Sequence, residues 1–385
     1  MRYVVLGLLL LPPGCDLGRS TQDNTEDQKQ PQDTLQVVWQ QSYQVAEAGP
    51  STPPKFVKAR KDSVVLFAGE ARLNALDFED GSIKWFTELN PRRELDCVGL
   101  VVDDSWIYGS HLYKAVSWGL QNGEKRWEYS STERESYKRF YSLGRYDVGP
   151  DYFYGGADGG WFLAVDKKTG QLAYERQFEF LPRGLTYKDG RVYFGQAWTP
   201  EGAEGQSRGA LLKVEAATAD TLWRFRTKRG GFYDMSPFVK DGRVYAGTRG
   251  GENTEFVALD AETGDVLWRN RRVRVHWAIW AETPNGSRIF VNNGRNVLAL
   301  DPENGSVLWR TDMQAGHGEG GLAYLDGHVY HPHGQGLRVI NAKTGEVVHI
   351  EWPENGYFWE VGTGAGRVFA QDSGALYAFE PYSPE

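Results

Sequence analysis

Cysteine is almost missing from this 385-residue chain: there are two, Cys15 and Cys97. A disulfide framework therefore cannot be what holds the fold together. No Cys-x-x-Cys pair exists to anchor a structural zinc site. Positive charge is in deficit, with 43 Lys and Arg against 51 Asp and Glu and a net charge of −8. General nucleic-acid binding needs a basic footprint, and this balance argues against it. Long apolar runs are lacking too. The run at the start, Val4–Leu11, is too short to cross a bilayer. No nucleophile elbow is expected, so serine-hydrolase chemistry is set aside. Cys97 lies in the apolar stretch Cys97–Val102 and reads as an inert, packed thiol.

Glycine and aromatic residues, by contrast, are plentiful: 46 glycines, and 14% Phe, Trp and Tyr. They fall into a recurring phrase whose clearest copies are Ala75–Trp85, Ala258–Trp268 and Ala299–Trp309. Each reads Ala-Leu-Asp, a short polar stretch, Gly, then an apolar strand closing on Trp. Looser copies close on Trp127, Tyr174, Trp223 and His349, and the fourth copy has Ala219 where the others have Gly. The turn residues stand at 81, 123, 170, 219, 264, 305 and 345. A period in the forties with four strands per unit marks a propeller. The Asp side chain can bond backbone two residues on, and Gly supplies a positive φ. Upstream of three copies, Asp189-Gly190, Asp241-Gly242 and Asp326-Gly327 join two alternating runs, the strongest short hairpin signal.

The ends of the chain complete the count. Leu376–Phe379 supplies a repeat that stops at its turn, and Leu35–Trp39 supplies the missing Trp-bearing strand. The expected fold is all-β: an eight-bladed β-propeller of four-stranded antiparallel blades, its ring closed by the N-terminal strand joining the C-terminal blade. Ring closure removes exposed edges. The expected organisation is a signal peptide over 1–14, a lipidated Cys15 and disordered tether over 15–34, and the propeller over 35–385. One Trp per blade (Trp39, Trp85, Trp127, Trp223, Trp268, Trp309) reads as docking between neighbouring blades. Asp77, Asp166, Asp260 and Asp301 read as turn formers. His331 and His333 alternate onto one strand face, with no carboxylate or Cys spacing to complete a metal site. The basic runs after Trp223 and Trp268 (Arg224, Arg226, Lys228; Arg269, Arg271, Arg272, Arg274) read as charges that blunt outer strand edges.

The phrase resembles the pyrroloquinoline-quinone-type repeat with its tryptophan docking motif, over roughly residues 35–381. With Gly14-Cys15 after a short apolar run, the chain is similar to the outer-membrane β-barrel assembly lipoproteins of the BamB family. It departs from the usual lipobox at Pro12-Pro13. The resemblance implies a lipid-anchored extracytoplasmic scaffold that binds other proteins, with Cys15 as the lipidated residue. It implies a location at the periplasmic face of the outer membrane, the inner membrane being the alternative. In that family two loops on consecutive blades contact a POTRA domain of the barrel-inserting protein. Phe180-Leu181-Pro182-Arg183-Gly184 and Phe232-Tyr233-Asp234-Met235-Ser236-Pro237 match them in order and spacing, which carries over Phe180, Leu181, Arg183 and Asp234 as partner-binding residues. Pro182 and Phe232 depart from the pattern.

Quinoprotein dehydrogenases share such blades but are longer. They carry adjacent cysteines, a calcium-binding Glu/Asn/Asp set and a catalytic Asp, and none of these can be assigned here. The expectation is therefore a monomeric non-enzyme with no catalytic residue, no cofactor, no metal and no nucleic-acid partner, touching membrane only through its lipid. The alternatives are a quinone-dependent oxidoreductase and a propeller that binds a small ligand or polysaccharide in its central channel.

Overall fold

The computed structural model describes residues 35–42, 57–60, 64–69, 72–88, 100–111, 114–130, 146–202, 206–233, 235–250, 254–273, 281–313, 321–333, 336–372 and 374–384. The expected signal segment, Cys15 and the tether lie outside the described residues, as do Cys97, Asp234 and Arg274.

Among the described residues every regular element is a β-strand, and the strands pair antiparallel into four-stranded sheets. Seven sheets are each made of four consecutive strands, spanning 57–88, 101–130, 146–177, 183–227, 238–270, 281–312 and 323–351; they are called the first to seventh sheets below. This corrects the expected count of eight blades: those built from one continuous stretch number seven, not eight. The remaining, closing sheet is a composite. It takes three strands from the C-terminus (Glu360–Gly364, Arg367–Gln371, Ala375–Phe379) and its outer strand, Val37–Ser42, from the N-terminus. The physical reason is that Ala375–Phe379 takes its outer partner from Val37–Ser42, so that no phrase turn joins the last two strands of this sheet. The bond that turn would make is still formed, between the two chain ends. Glu380 N–H donates to Gln36 O at 2.9 Å, as Asp77 N–H donates to Ser82 O and Asp260 N–H to Asp265 O inside continuous sheets.

The turns follow from local backbone demands. All seven turn positions of the phrase have positive φ, from 58° at Ala219 to 80° at Gly345. Asp77, Asp166, Asp260 and Asp301 each accept the N–H two residues on, at 2.8–2.9 Å. These bonds hold the Asp260 carboxyl below the usual range, chiefly through the Thr263 N–H. The Asp-Gly hairpins place both central residues at positive φ, as a type I′ turn requires.

Sheet-to-sheet packing repeats one contact. The aromatic residue closing each phrase donates to the carbonyl just after the Asp position in the next sheet. Trp39 donates to Phe78 O, Trp85 to Leu120 O, Trp127 to Lys167 O, Trp223 to Ala261 O, Trp268 to Pro302 O and Trp309 to Ala342 O, at 2.9–3.1 Å. Each indole lies flat on the next turn's glycine. A Cβ on Gly81, Gly123, Gly170, Gly264, Gly305 or Gly345 would come within 2.4–2.8 Å of the ring. Between the third and fourth sheets the donor is Tyr174, bonded through its hydroxyl to Ala216 O, and there the turn residue is Ala219. The smaller ring leaves room for the methyl that an indole excludes.

From the seventh sheet to the closing sheet the joint differs. His349 stands in the Trp position, stacks on Tyr382 at 5.7 Å and bonds Glu351 at 3.1 Å; Glu351 also accepts the Leu35 N–H at 2.6 Å. The ring is closed, and apolar clusters sit between successive sheets all round it.

Antiparallel pairing also fixes the two faces. Links from an outer strand to the next inner strand emerge beside the links between second and third strands. The Asp-Gly and phrase turns emerge on the opposite face. The first set is called the connecting face below.

Candidate functional site

Phe180–Gly184 leads from the third sheet to the inner strand of the fourth, Arg183–Lys188, and Phe232–Pro237 leads from the fourth to the fifth. Both are on the connecting face. They touch because glycine allows it: at Gly184 (φ 57°) a Cβ would meet Met235 O at 2.3 Å. Likewise the Pro182 carbonyl occupies the space of a Cβ on Gly156. Thr186 Oγ1 donates to Pro237 O at 2.7 Å, tying the two inner strands together.

Of the partner-binding residues expected from sequence, three lie in the described residues. Phe180 stacks face to face on Trp198 at 4.3 Å, and the Arg226 guanidinium covers that Trp ring at 5.9 Å. Arg183 places its guanidinium 5.4 Å from the Tyr233 ring centre. Leu181 is partly exposed beside them. The Tyr233 hydroxyl is 2.8 Å from Ser207 Oγ. Phe232, standing where the family pattern has Asp, turns inward. It is 1% exposed, packs over Gly195 and Gly209, and donates its N–H to Gln196 O. An apolar residue there secures the loop instead of offering a carboxylate. The arrangement is a rigid platform of rings and guanidinium groups across two sheets, suited to a partner with acidic and apolar groups. Trp198 and Tyr233 carry no role in the sequence reading, and Arg226 reads there only as an edge charge.

Other sequence candidates are accounted for by local structure. The letters Gly205-Gln206-Ser207-Arg208-Gly209 do spell the nucleophile-elbow string, which corrects the expectation that the chain has none. But Ser207 precedes a strand, not a helix, and its hydroxyl is shared with Tyr233. Arg224 and Arg226 pair with Glu179 at 3.7 and 3.2 Å, and Arg269 with the fully buried Glu255 at 3.4 Å. His331 and His333 are buried on one strand face with ring centres 5.8 Å apart. His331 contacts the Gly321 carbonyl at 3.2 Å and Asn292 at 3.4 Å. Burial holds the His331 imidazole down, to a pKa of about 3.

Among the described residues no three His, Cys, Asp or Glu side chains converge as a metal ion would need. On the inner wall, where the sixth, seventh and closing sheets meet, a cavity of about 280 Å³ is lined by Glu282, Leu322, Ala323, Tyr324 and Val361–Thr363. Its one carboxylate, Glu282, is paired with Lys240 at 2.6 Å. These lining residues do not supply the carboxylate and amide set that a calcium–quinone group would require.

Comparison with known proteins finds two kinds of relative. The family described as outer membrane protein assembly factor BamB matches residues 158–279 and 277–381. Among curated proteins, a quinohemoprotein alcohol dehydrogenase from Comamonas testosteroni is 24% identical over 211 residues, 51% of this chain and 23% of its own length. The dehydrogenase subunit of a quinone alcohol dehydrogenase from Gluconacetobacter polyoxogenes is 32% identical over 130 residues, 28% of this chain and 16% of its own length. The matches thus span less than a quarter of those curated relatives. Among solved structures, BamB from Moraxella catarrhalis superposes with a TM-score of 0.62 at 14% identity, covering 92% of this chain and 100% of that one. The quinohemoprotein alcohol dehydrogenase of Comamonas testosteroni superposes with a TM-score of 0.63 at 12% identity, covering 91% and 76%. At such identities the superpositions establish the fold.

The dehydrogenase relatives overturn the flat expectation of a non-enzyme, because similar sequence is found in proteins named as redox enzymes. The pyrroloquinoline-quinone-type repeat propeller itself stands. Because the family match extends over more than half of its length, the chain belongs to the family described as outer membrane protein assembly factor BamB.

Proposed function

We propose that this chain is an extracytoplasmic propeller scaffold, anchored through a lipid on Cys15, that presents its connecting face to a protein partner in outer-membrane protein assembly. The observation that carries the reading is the pair of touching loops at Phe180–Gly184 and Phe232–Pro237. Their rings and guanidinium groups are held rigidly by two adjacent sheets. Loops already fixed by the blades lose little entropy on docking, so a small contact set suffices. Aromatic and arginine side chains dominate the energetics of such contacts. The partner that fits is a POTRA-bearing barrel-inserting protein, and Asp234 would belong to the same contact. The test is co-purification. Phe180→Ala with Arg183→Ala is expected to lower recovery of the POTRA-bearing protein by about tenfold or more, with the melting temperature nearly unchanged. Recovery equal to that of the parent chain would refute this reading.

A second reading, a quinone-dependent oxidoreductase, is favoured by the named alcohol dehydrogenases among the relatives. The described residues lining the inner-wall cavity, with Glu282 as their one carboxylate, do not favour it. Titration with pyrroloquinoline quinone and calcium, followed by absorbance, decides it: stoichiometric binding would place the chain with the enzymes.

A further inference from the structure

On the connecting face, the links around the fifth sheet carry charge of one sign. Links 228–237 and 271–280 leave the fourth and fifth sheets, and links 248–255 and 293–295 join second to third strands in the fifth and sixth. Their described residues include Lys228, Arg229, Arg249, Arg271, Arg272 and Arg295, and one acid, Glu255. Glu255 is fully buried, accepts from Thr227 Oγ1 at 2.6 Å and pairs with Arg269, so its charge is answered inside the sheet. Outside the described residues the same links add Arg274, Asp234 and Glu252. Lys228, Arg271, Arg272 and Arg295 are exposed and make no ion pair among the described residues.

The acids of these sheets gather on the opposite face. The turns of the fifth and sixth sheets hold Asp241, Glu262, Asp265, Asp301 and Glu303 against one cation, Arg288. Two of those acids are already paired there, Glu262 with Lys213 and Glu303 with Arg243. The fourth sheet's own link on the connecting face, 199–207, carries Glu201 and Glu204 and no Lys or Arg. Positive charge is therefore set toward the fifth sheet.

The cations stand on fixed backbone. One device recurs in three successive sheets: an arginine N–H donates to the side chain two residues before it. Arg229 donates to Thr227 Oγ1 at 3.0 Å, Arg272 to Asn270 Oδ1 at 2.9 Å and Arg295 to Asn293 Oδ1 at 3.1 Å. Arg249 and Gly231 exchange both backbone bonds at 2.8 Å, and a Cβ on Gly250 would come within 3.0 Å of the Tyr233 ring. The basic strip is thus continuous with the platform of Phe180, Arg183 and Tyr233, and its links are pre-organised.

Two features select the occupant. All but one of these cations are arginines, whose planar fork matches a carboxylate bidentately as an ammonium does not. Binding to a lipid surface draws on apolar side chains that enter it, and here they are withheld. Phe232 and Val273 are buried, and none of the exposed large apolar side chains among the described residues lies in these links.

We propose that the links around the fifth sheet form a docking strip for an acidic, extended segment of a protein partner, alongside the contact made by the Phe180 platform. The platform seats the partner, and the strip steers and holds its carboxylates. As a contact with that partner the strip rests on the platform reading; as a surface for acidic peptide it is tested on its own.

The test uses the full chain and a fluorescein-labelled peptide of repeating Glu-Ser-Leu, with a twin in which Lys replaces Glu, read by polarisation. The Glu peptide is expected to bind, more weakly as salt rises, and the Lys twin at least about tenfold more weakly. Arg271→Glu with Arg272→Glu is expected to lose about tenfold or more. Lys168→Glu with Lys343→Glu makes the same change of net charge at exposed turn positions on the other face and should leave binding as it is. Phe180→Ala with Arg183→Ala should still bind the Glu peptide. Absence of Glu-peptide binding, beside lowered recovery of the POTRA-bearing protein by that variant, sinks the strip and leaves the platform standing. Equal binding of the two peptides, equal loss from the turn-face variant, or binding to phosphatidylglycerol vesicles in place of the peptide would each overturn the proposal.

Discussion

The joint between the third and fourth sheets offers a sharp test of how the ring is held. At six other joints an indole lies on a glycine, with no more than 2.8 Å between the ring and the position of an added Cβ. Real Cβ contacts are not that short, so indole and methyl exclude each other at this site. At the exceptional joint both partners change together, Trp to Tyr174 and Gly to Ala219, and both pack in one apolar cluster. Tyr174→Trp alone drives an indole into the Ala219 methyl, an overpacking cost of about 1–3 kcal/mol. Ala219→Gly alone relieves an alanine held at φ 58°, a conformation that favours glycine, and is expected to be neutral or stabilising by up to about 1 kcal/mol. The double variant rebuilds the joint found elsewhere in the chain and should recover most of the loss. The cycle should therefore show a coupling of about 1–3 kcal/mol, of favourable sign. Urea denaturation of the three variants and the parent, with far-UV circular dichroism as the probe, measures it. Additive effects, with a coupling near zero, would refute the idea that ring size and turn residue are matched.

Two further outcomes follow from the same packing. Trp39→Ala removes the docking ring of the N-terminal strand from a cluster with Leu76, Phe78, Phe369, Leu376 and Ala378. It should cost about 3–5 kcal/mol and expose the closing sheet to limited proteolysis; an unshifted denaturation midpoint would contradict ring closure through that strand. His331 is buried and neutral, with burial, then the nearby His333 and Arg338, opposing its charging. Its folded pKa of about 3 lies below the unfolded value of about 6.5. The unfolded chain then binds a proton that the folded chain refuses. Stability is lost as pH falls from about 6.5 toward 3. His331→Gln should flatten the acid limb of a stability–pH profile in that window, and an identical limb would show that another group governs it.

Much of the architecture was readable because its demands are local. A positive φ after Asp-x-x-x needs Gly, and the following Trp needs a glycine to lie on, so one phrase encodes both turn and docking. The composite sheet was readable because the halves of a split phrase, Leu376–Phe379 and Leu35–Trp39, complement each other. The matching of Tyr174 to Ala219 was visible as two irregularities, but linking them needs the neighbouring sheet, some forty residues away. The surface was far less readable. Trp352 and Trp359 use the same letter as the docking residues yet are 50% and 40% exposed, which no spacing reveals. Phe232 shows the converse, since the residue that departs from the family pattern within a contact loop is the buried peg of that loop. The Gly205–Gly209 string shows that five matching letters do not make a strand-to-helix turn, since Arg208 and Gly209 open a strand.

The closing sheet is not gripped equally on its two sides. Toward the first sheet, the Phe78 carbonyl accepts from both Trp39 and Arg367, and Arg367 also pairs with Glu79 at 2.9 Å. Toward the seventh sheet no indole reaches across. Glu351 gathers His349 and the Leu35 N–H, and Thr363 Oγ1 donates to Tyr324 O at 3.3 Å. A stacked imidazole buries less apolar area than an indole. This joint therefore lacks the indole contact that docks six of the others and is held instead by its apolar cluster and these polar bonds.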